Sequence, residues 1–337
     1  MQARRLLLSA RTQHSLAADL QLALQGSSVQ VVTLEAVVDD DRAQVDAAFI
    51  SRDITGLSLK QHVLQELADC YRVLRRSPQL SWVHTHSAGA DRPIYAELMA
   101  RSVAVTTSSG ANADVVAQTA VGALLALSRR FSQLMAAQAR HEWAPLVAGP
   151  LPPDLVGQTV VLVGWGPIAR RVQPVLALLG LRVVVVRRTE EPAGPGIETV
   201  PFTRLHQMLP RAQWLLLACP LTAQTRGLID AAALAELPAG AQLINVARGE
   251  VVVQAAVAEA LATGRLGGAF LDVFEQEPLP SESPLWALPG VMISPHSAGQ
   301  AAGNAGRVAA IFVDNLCRWA LGQPLLNRAV PEITSTL

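Results

Sequence analysis

The sequence predicts an α/β protein with two doubly wound parallel-sheet domains. Short Val/Ile/Leu-rich runs alternate with helical stretches along most of the chain, as expected of parallel strands buried on both faces and linked by crossover helices. The length of 337 residues exceeds what a single hydrophobic core ordinarily organises. A proline-rich break, APLVAGPLPP at 144–153, follows a long helical stretch and precedes a fresh strand.

Taken in order, the first sheet is expected from the apolar runs at 6–9, 30–33, 48–50, 82–85 and 103–106. Two arginines before an apolar run also begin many signal peptides. The run at 6–8 is far too short for that, so a first strand is the reading. A helical stretch spans roughly 112–140. After the break come strands at 159–163, 182–186, 214–218, 242–246, 269–272 and 291–294. Pro174, inside the first helix of this half, should kink it. A last helix at roughly 301–321 would return the chain to the first domain. That domain is then discontinuous, 1–110 plus 300–337, around a second domain at 111–299, with the binding site expected in a cleft between them.

Composition excludes several classes. Lys+Arg and Asp+Glu are both 27, so no strongly basic surface for nucleic acid is expected. No apolar stretch approaches the roughly 20 residues that cross a bilayer. The three cysteines, Cys70, Cys219 and Cys317, are widely spaced, with no disulfide framework or metal spacing, which fits a cytoplasmic protein without a metal.

Two features carry chemistry. The segment 159–189 reads strand, turn, helix, strand, and its turn is Gly164-x-Gly166-x-x-Ala169. The first glycine permits the tight turn, the second lets a pyrophosphate approach the backbone, and the third position packs helix on strand. The second strand of an NAD-binding unit ordinarily ends in an acid that holds the ribose 2′-hydroxyl. Here Arg187-Arg188-Thr189 fill that place, and Glu190 and Glu191 come later. Guanidinium groups bind a 2′-phosphate that a carboxylate would repel, so NADP(H) is expected ahead of NAD(H). The second feature is Arg248, Glu277 and His296, in the segments INVARGEVV (244–252), LDVFEQEPLP (271–280) and ISPHSAG (293–299). A cation, a carboxylate and an imidazole suit binding an anionic keto acid and moving a proton to its carbonyl oxygen.

With the further segments HSAGAD (86–91), CPLTAQTRGLID (219–230) and SPLWALPGVMISPHSAG (283–299), residues from about 80 to 322 resemble the D-isomer-specific 2-hydroxyacid dehydrogenase family. The glyoxylate/hydroxypyruvate reductase branch looks closest, chiefly through the arginine pair. The resemblance implies a flavodoxin-like substrate domain and a Rossmann dinucleotide-binding domain. It gives Arg248 the task of holding the substrate carboxylate and polarising the 2-oxo group. His296 becomes the general acid/base and Glu277 its partner. The backbone N–H groups of Ala88, Gly89 and Ala90 become a carboxylate-receiving loop, where small residues allow close approach. Around the cofactor it places Gly164, Gly166, Pro167, Ile168, Arg187, Arg188, Thr189, the loop residues Cys219, Pro220 and Thr225, then Val246, Ala247 and Asp272. It also implies a homodimer through the 112–150 region, with Trp143 packed internally or reaching the partner.

His86 borders the carboxylate loop and is a further candidate contact. Cys219 has no base positioned by sequence to make it a nucleophile. Gln118 stands where relatives often carry glutamate, and only a structural consequence is expected. The expected activity is NADPH-dependent reduction of a small 2-oxo acid to the D-2-hydroxy acid. The alternatives are a cofactor-sensing corepressor of the same fold or an oxidoreductase for another small anion such as phosphite. The chain ends soon after the helix expected at 301–321, so neither an interaction tail nor a regulatory domain is expected. Glu277 argues against a formate dehydrogenase, in which the histidine pairs with glutamine.

Overall fold

The structure, a computed structural model, describes residues 3–58 and 62–330. The chain forms two compact units, Met1–Asn112 with Ala301–Leu337, and Ala113–Gln300. Each is built on a parallel sheet, as the alternating apolar runs predict.

The first unit contains β1 (Arg4–Leu8), β2 (Val29–Thr33), β3 (Ala47–Ile50), β4 (Trp82–Thr85) and β5 (Ala104–Thr107), in the order β2-β1-β3-β4-β5. β3 and β4 are buried at every position. One face of the sheet contributes Leu7, Ala48, Ile50, Val83 and Val105 to a core. The other face contributes Leu6, Leu8, Phe49 and Trp82, which pack on Phe312, Leu316 and Trp319 of the helix Asn304–Ala320. Phe49 and Phe312 stack with centroids 4.2 Å apart, and the Arg4 guanidinium lies 4.4 Å over the Trp319 ring. The last long helix of the sequence thus belongs to the first sheet because its apolar stripe completes that face.

The second unit contains β6 (Thr159–Val163), β7 (Arg182–Arg187), β8 (Glu198–Pro201), β9 (Trp214–Leu217), β10 (Ala241–Asn245), β11 (Leu266–Leu271) and β12 (Val291–Ile293). Their order, β12-β11-β10-β9-β6-β7-β8, reverses direction between β6 and β9. Ligands of open α/β sheets bind beyond the carboxyl ends of the strands at such a switch point.

Two details depart from the sequence reading. β8 is an additional strand: it is short, lies at the sheet edge, ends in proline and buries only Val200, so it lacks an apolar run. The stretch 112–140 is two helices, Ala113–Ser128 and Phe131–Ala139, separated where Arg130 takes φ +53°. As the sequence reading expects, Pro174 lies inside a helix, Pro167–Leu178. Among the described residues no helix is long and apolar enough to cross a membrane.

Candidate active site

β6 leads directly into the glycine turn. Gly164 has φ +106°, and a Cβ there would stand 2.6 Å from the Ala218 carbonyl oxygen, so only glycine fits. Its N–H donates to the Val186 carbonyl at 2.7 Å, tying the turn to β7. Gly166 is the N-cap of the helix Pro167–Leu178, and Pro167 opens the helix at a position where no N–H is needed. A Cβ on Gly166 would meet nothing within 4 Å. The helix start therefore presents uncapped N–H groups to open space, which suits a pyrophosphate. Ala169 is fully buried against β6 and β7, with Ile168 and Trp165 partly buried in the same cluster.

At the end of β7, Arg187 donates to the Glu191 carbonyl at 3.1 Å and pairs with its carboxylate at 3.2 Å, while Arg188 and Thr189 are exposed. After β9, Cys219 is buried, and burial pushes its thiol up to about 12. It stays protonated and is no nucleophile at neutral pH. Thr225 is buried too; its hydroxyl donates to the Pro220 carbonyl at 2.7 Å and accepts from the Thr222 N–H at 2.8 Å, so it holds the 219–225 loop in shape.

The cation, carboxylate and imidazole stand on three loops of the same sheet. β10 ends at Asn245, a fully buried amide that accepts from the Ala247 N–H at 3.0 Å and donates to the Arg248 carbonyl at 3.1 Å. Val246 and Ala247, which follow it, are buried too. Gly249 follows, and a Cβ there would stand 1.9 Å from the Phe274 carbonyl carbon. The Arg248 loop can therefore lie on the segment leading to Glu277 only because residue 249 has no side chain. Gln254 and Glu275 reinforce this packing, each side chain accepting from the other's backbone N–H at 2.9 and 3.2 Å.

Glu277 accepts from the Phe274 N–H through Oε1 at 3.2 Å, and its Oε2 lies 2.9 Å from His296 Nδ1. With Nδ1 facing the carboxylate, Nε2 is left for another partner. His296 has φ +53°, a conformation a non-glycine residue keeps only when its surroundings hold it. Its N–H donates to the Asp272 carbonyl at 2.8 Å. The Asp272 side chain, itself buried, accepts through Oδ1 from the N–H groups of Ser297 and Ala298 at 2.8 and 2.9 Å. On the far side Thr119 Oγ1 donates to the Ala298 carbonyl at 2.9 Å. Thr119, Asn245, Gly249, Gln254 and Glu275 were not singled out in the sequence. Each acts through backbone contacts, which leave no residue pattern to read.

In the first unit, 88–90 lies in the loop that leaves β4. Among the described residues, none accepts a hydrogen bond from the N–H groups of Ala88, Gly89 or Ala90, and Ala88 is exposed. Such a run of unused donors can receive a carboxylate. His86, just before the loop, is pushed down to about 4 by burial and by the charges of Arg52 and Arg92, so its imidazole is neutral at physiological pH.

Residues 121–298 match the family model described as D-isomer specific 2-hydroxyacid dehydrogenase, NAD binding domain. The chain is 33% identical over 273 residues to a glyoxylate reductase of Thermofilum pendens, covering 77% of this chain and 79% of that one. It is 31% identical over 268 residues to glyoxylate/hydroxypyruvate reductase B of Citrobacter koseri, covering 77% and 81%. The crystal structure of a D-isomer specific 2-hydroxyacid dehydrogenase from Xanthobacter autotrophicus Py2, in complex with NADPH and MES, superposes with a TM-score of 0.75 at 29% identity, covering 98% of this chain and 99% of that one. A switch-point glycine turn and a histidine–carboxylate pair on one sheet agree with these matches. The chain belongs to the D-isomer-specific 2-hydroxyacid dehydrogenase family and is an NAD(P)-dependent oxidoreductase.

Proposed function

We propose that the chain reduces a small 2-oxo acid of the glyoxylate/hydroxypyruvate type to the D-2-hydroxy acid, with NADPH preferred to NADH. The observation that carries this reading is the 2.9 Å contact between His296 Nδ1 and Glu277 Oε2. A carboxylate on one ring nitrogen stabilises the protonated imidazole and aims the other nitrogen at the substrate, where it donates its proton to the developing alkoxide. Arg248 holds the substrate carboxylate and polarises the 2-oxo group, a task suited to its planar fork. In the first unit, the unused N–H groups of Ala88, Gly89 and Ala90 form a loop suited to a carboxylate. NADPH, when bound, supplies the hydride. Gly164, Gly166, Pro167 and Ile168 hold its pyrophosphate, Arg187, Arg188 and Thr189 its 2′-phosphate, and the 219–225 loop, Val246, Ala247 and Asp272 its remaining length. No acid ends β7; Glu190 and Glu191 come only after Arg187-Arg188-Thr189, and the Xanthobacter relative was crystallised with NADPH; both favour the phosphorylated cofactor.

The chain acts as a homodimer in this reading, through the 112–150 region. Trp143 is 96% exposed there, and Phe131 and Met135 of the helix Phe131–Ala139 are also exposed, an apolar surface of the kind a second copy covers.

The test is a panel of 2-oxo acids assayed with NADPH and NADH in parallel, on the wild type and on an Arg187→Ala/Arg188→Ala double variant. The wild type should favour NADPH. The double variant should lose about tenfold or more in kcat/KM for NADPH and little for NADH. Equal or better wild-type rates with NADH would overturn the cofactor assignment.

A further inference from the structure

One cluster of charged side chains takes no part in the chemistry proposed above. It stands at the carboxyl end of the first unit's sheet. The Ile50 carbonyl, at the end of β3, accepts from the His86 N–H at 3.0 Å, so the segments leaving β3 and β4 begin side by side. Arg52 opens the short helix Arg52–Thr55 on the first of these segments and is exposed. His86 stands on the second, two residues before Ala88. Its Nε2 is buried and, among the described residues, has no hydrogen-bond partner, an exception for a buried polar group. Arg92 follows the 88–90 loop, its guanidinium held by the Ser58 carbonyl at 2.6 Å.

Burial and the positive charges of Arg52 and Arg92 push the His86 imidazole down to about 4, while Asp53 acts in the opposite direction. The Asp53 carboxylate is occupied by the hydroxyls of Ser9 and Thr12, the latter at 3.0 Å. Arg52, two residues after Ile50, and Arg92, two residues after Ala90, thus stand on the segments either side of a loop of three unused N–H donors. Such a field favours anions, and the guanidinium fork matches the oxygens of carboxylate, sulfonate and phosphate alike.

We propose that Arg52, Arg92 and His86 form a second anion subsite beside the 88–90 loop, so that the preferred substrate is a 2-oxo acid bearing a further anionic group at its far end. This rests on reading 88–90 as the loop that receives the 2-oxo acid's own carboxylate. Glyoxylate has no atoms to place in the subsite. A three-carbon 2-oxo acid substituted at C3 by carboxylate, sulfonate or phosphate can fill it.

The experiment compares kcat/KM for oxaloacetate, 3-sulfopyruvate and 3-phosphohydroxypyruvate with that for pyruvate, in the wild type and in Arg52→Gln. The wild type should favour at least one dianion over pyruvate by about tenfold, and the substitution should reduce that ratio by about tenfold, the scale of one charge-assisted hydrogen bond. Pyruvate matching every dianion, or a ratio unchanged in Arg52→Gln, would overturn the subsite. Calorimetric titration with malonate, sulfoacetate and phosphoglycolate separates this from the reductase reading, because it requires no turnover. Binding that weakens about tenfold in Arg52→Gln supports the subsite even if no 2-oxo acid is reduced. Failure of all three to bind the wild type rejects it.

Discussion

His296 is placed by its backbone as much as by its side chain. Its φ of +53° is maintained by the Asp272 carbonyl and by two further N–H bonds to the Asp272 carboxylate, while Thr119 holds the next turn of the loop. Glu277 then fixes the ring. If that carboxylate stabilises the imidazolium, Glu277→Gln keeps a hydrogen-bonding partner but loses the charge, and kcat for 2-oxo acid reduction should fall by about ten- to a hundredfold. Steady-state kinetics with undiminished kcat would contradict the role. At this scale the sequence disclosed the groups with distinctive chemistry. Arg248, Glu277 and His296 lie in well-marked segments, and the structure puts the latter two in contact. It did not disclose Thr119 or Asn245, because a hydroxyl or amide that bonds a backbone group far along the chain looks like any other polar residue. His86 was legible only as a neighbour of the 88–90 loop; the arginines whose charges act on it come from two separate segments.

At the scale of elements, the site depends on loops lying backbone against backbone. Gly249 is the clearest case, since a Cβ there would fall 1.9 Å from Phe274. Gly249→Ala must push the Arg248 loop off the segment that carries Glu277. The expected outcome is a loss of about 1–3 kcal/mol in stability, seen as a lower Tm, with kcat falling as well. Wild-type Tm and kcat would show that the loops yield without cost. Strands with continuous apolar runs were readable from their residues, since burial on both faces demands such runs. β8 was not, because an edge strand burying only Val200 needs none. The break at Arg130 was hidden for a related reason: alanine and leucine continue on both sides, and only one residue's φ changes hand.

At the scale of the whole molecule, the sequence divides its work between two parallel sheets. One carries the glycine turn and all three of Arg248, Glu277 and His296; the other carries the 88–90 loop and its neighbouring arginines. The helix Asn304–Ala320 completes the first sheet although it comes last in the chain. In the proposed reaction His296 delivers the proton in 2-oxo acid reduction. The most direct test is NADPH-dependent reduction of glyoxylate and hydroxypyruvate by His296→Ala, with Tm and NADPH binding measured alongside. If His296 is the acid, kcat should fall by about 10²–10⁴-fold with folding and cofactor affinity retained. Turnover at the wild-type rate in that variant would contradict it.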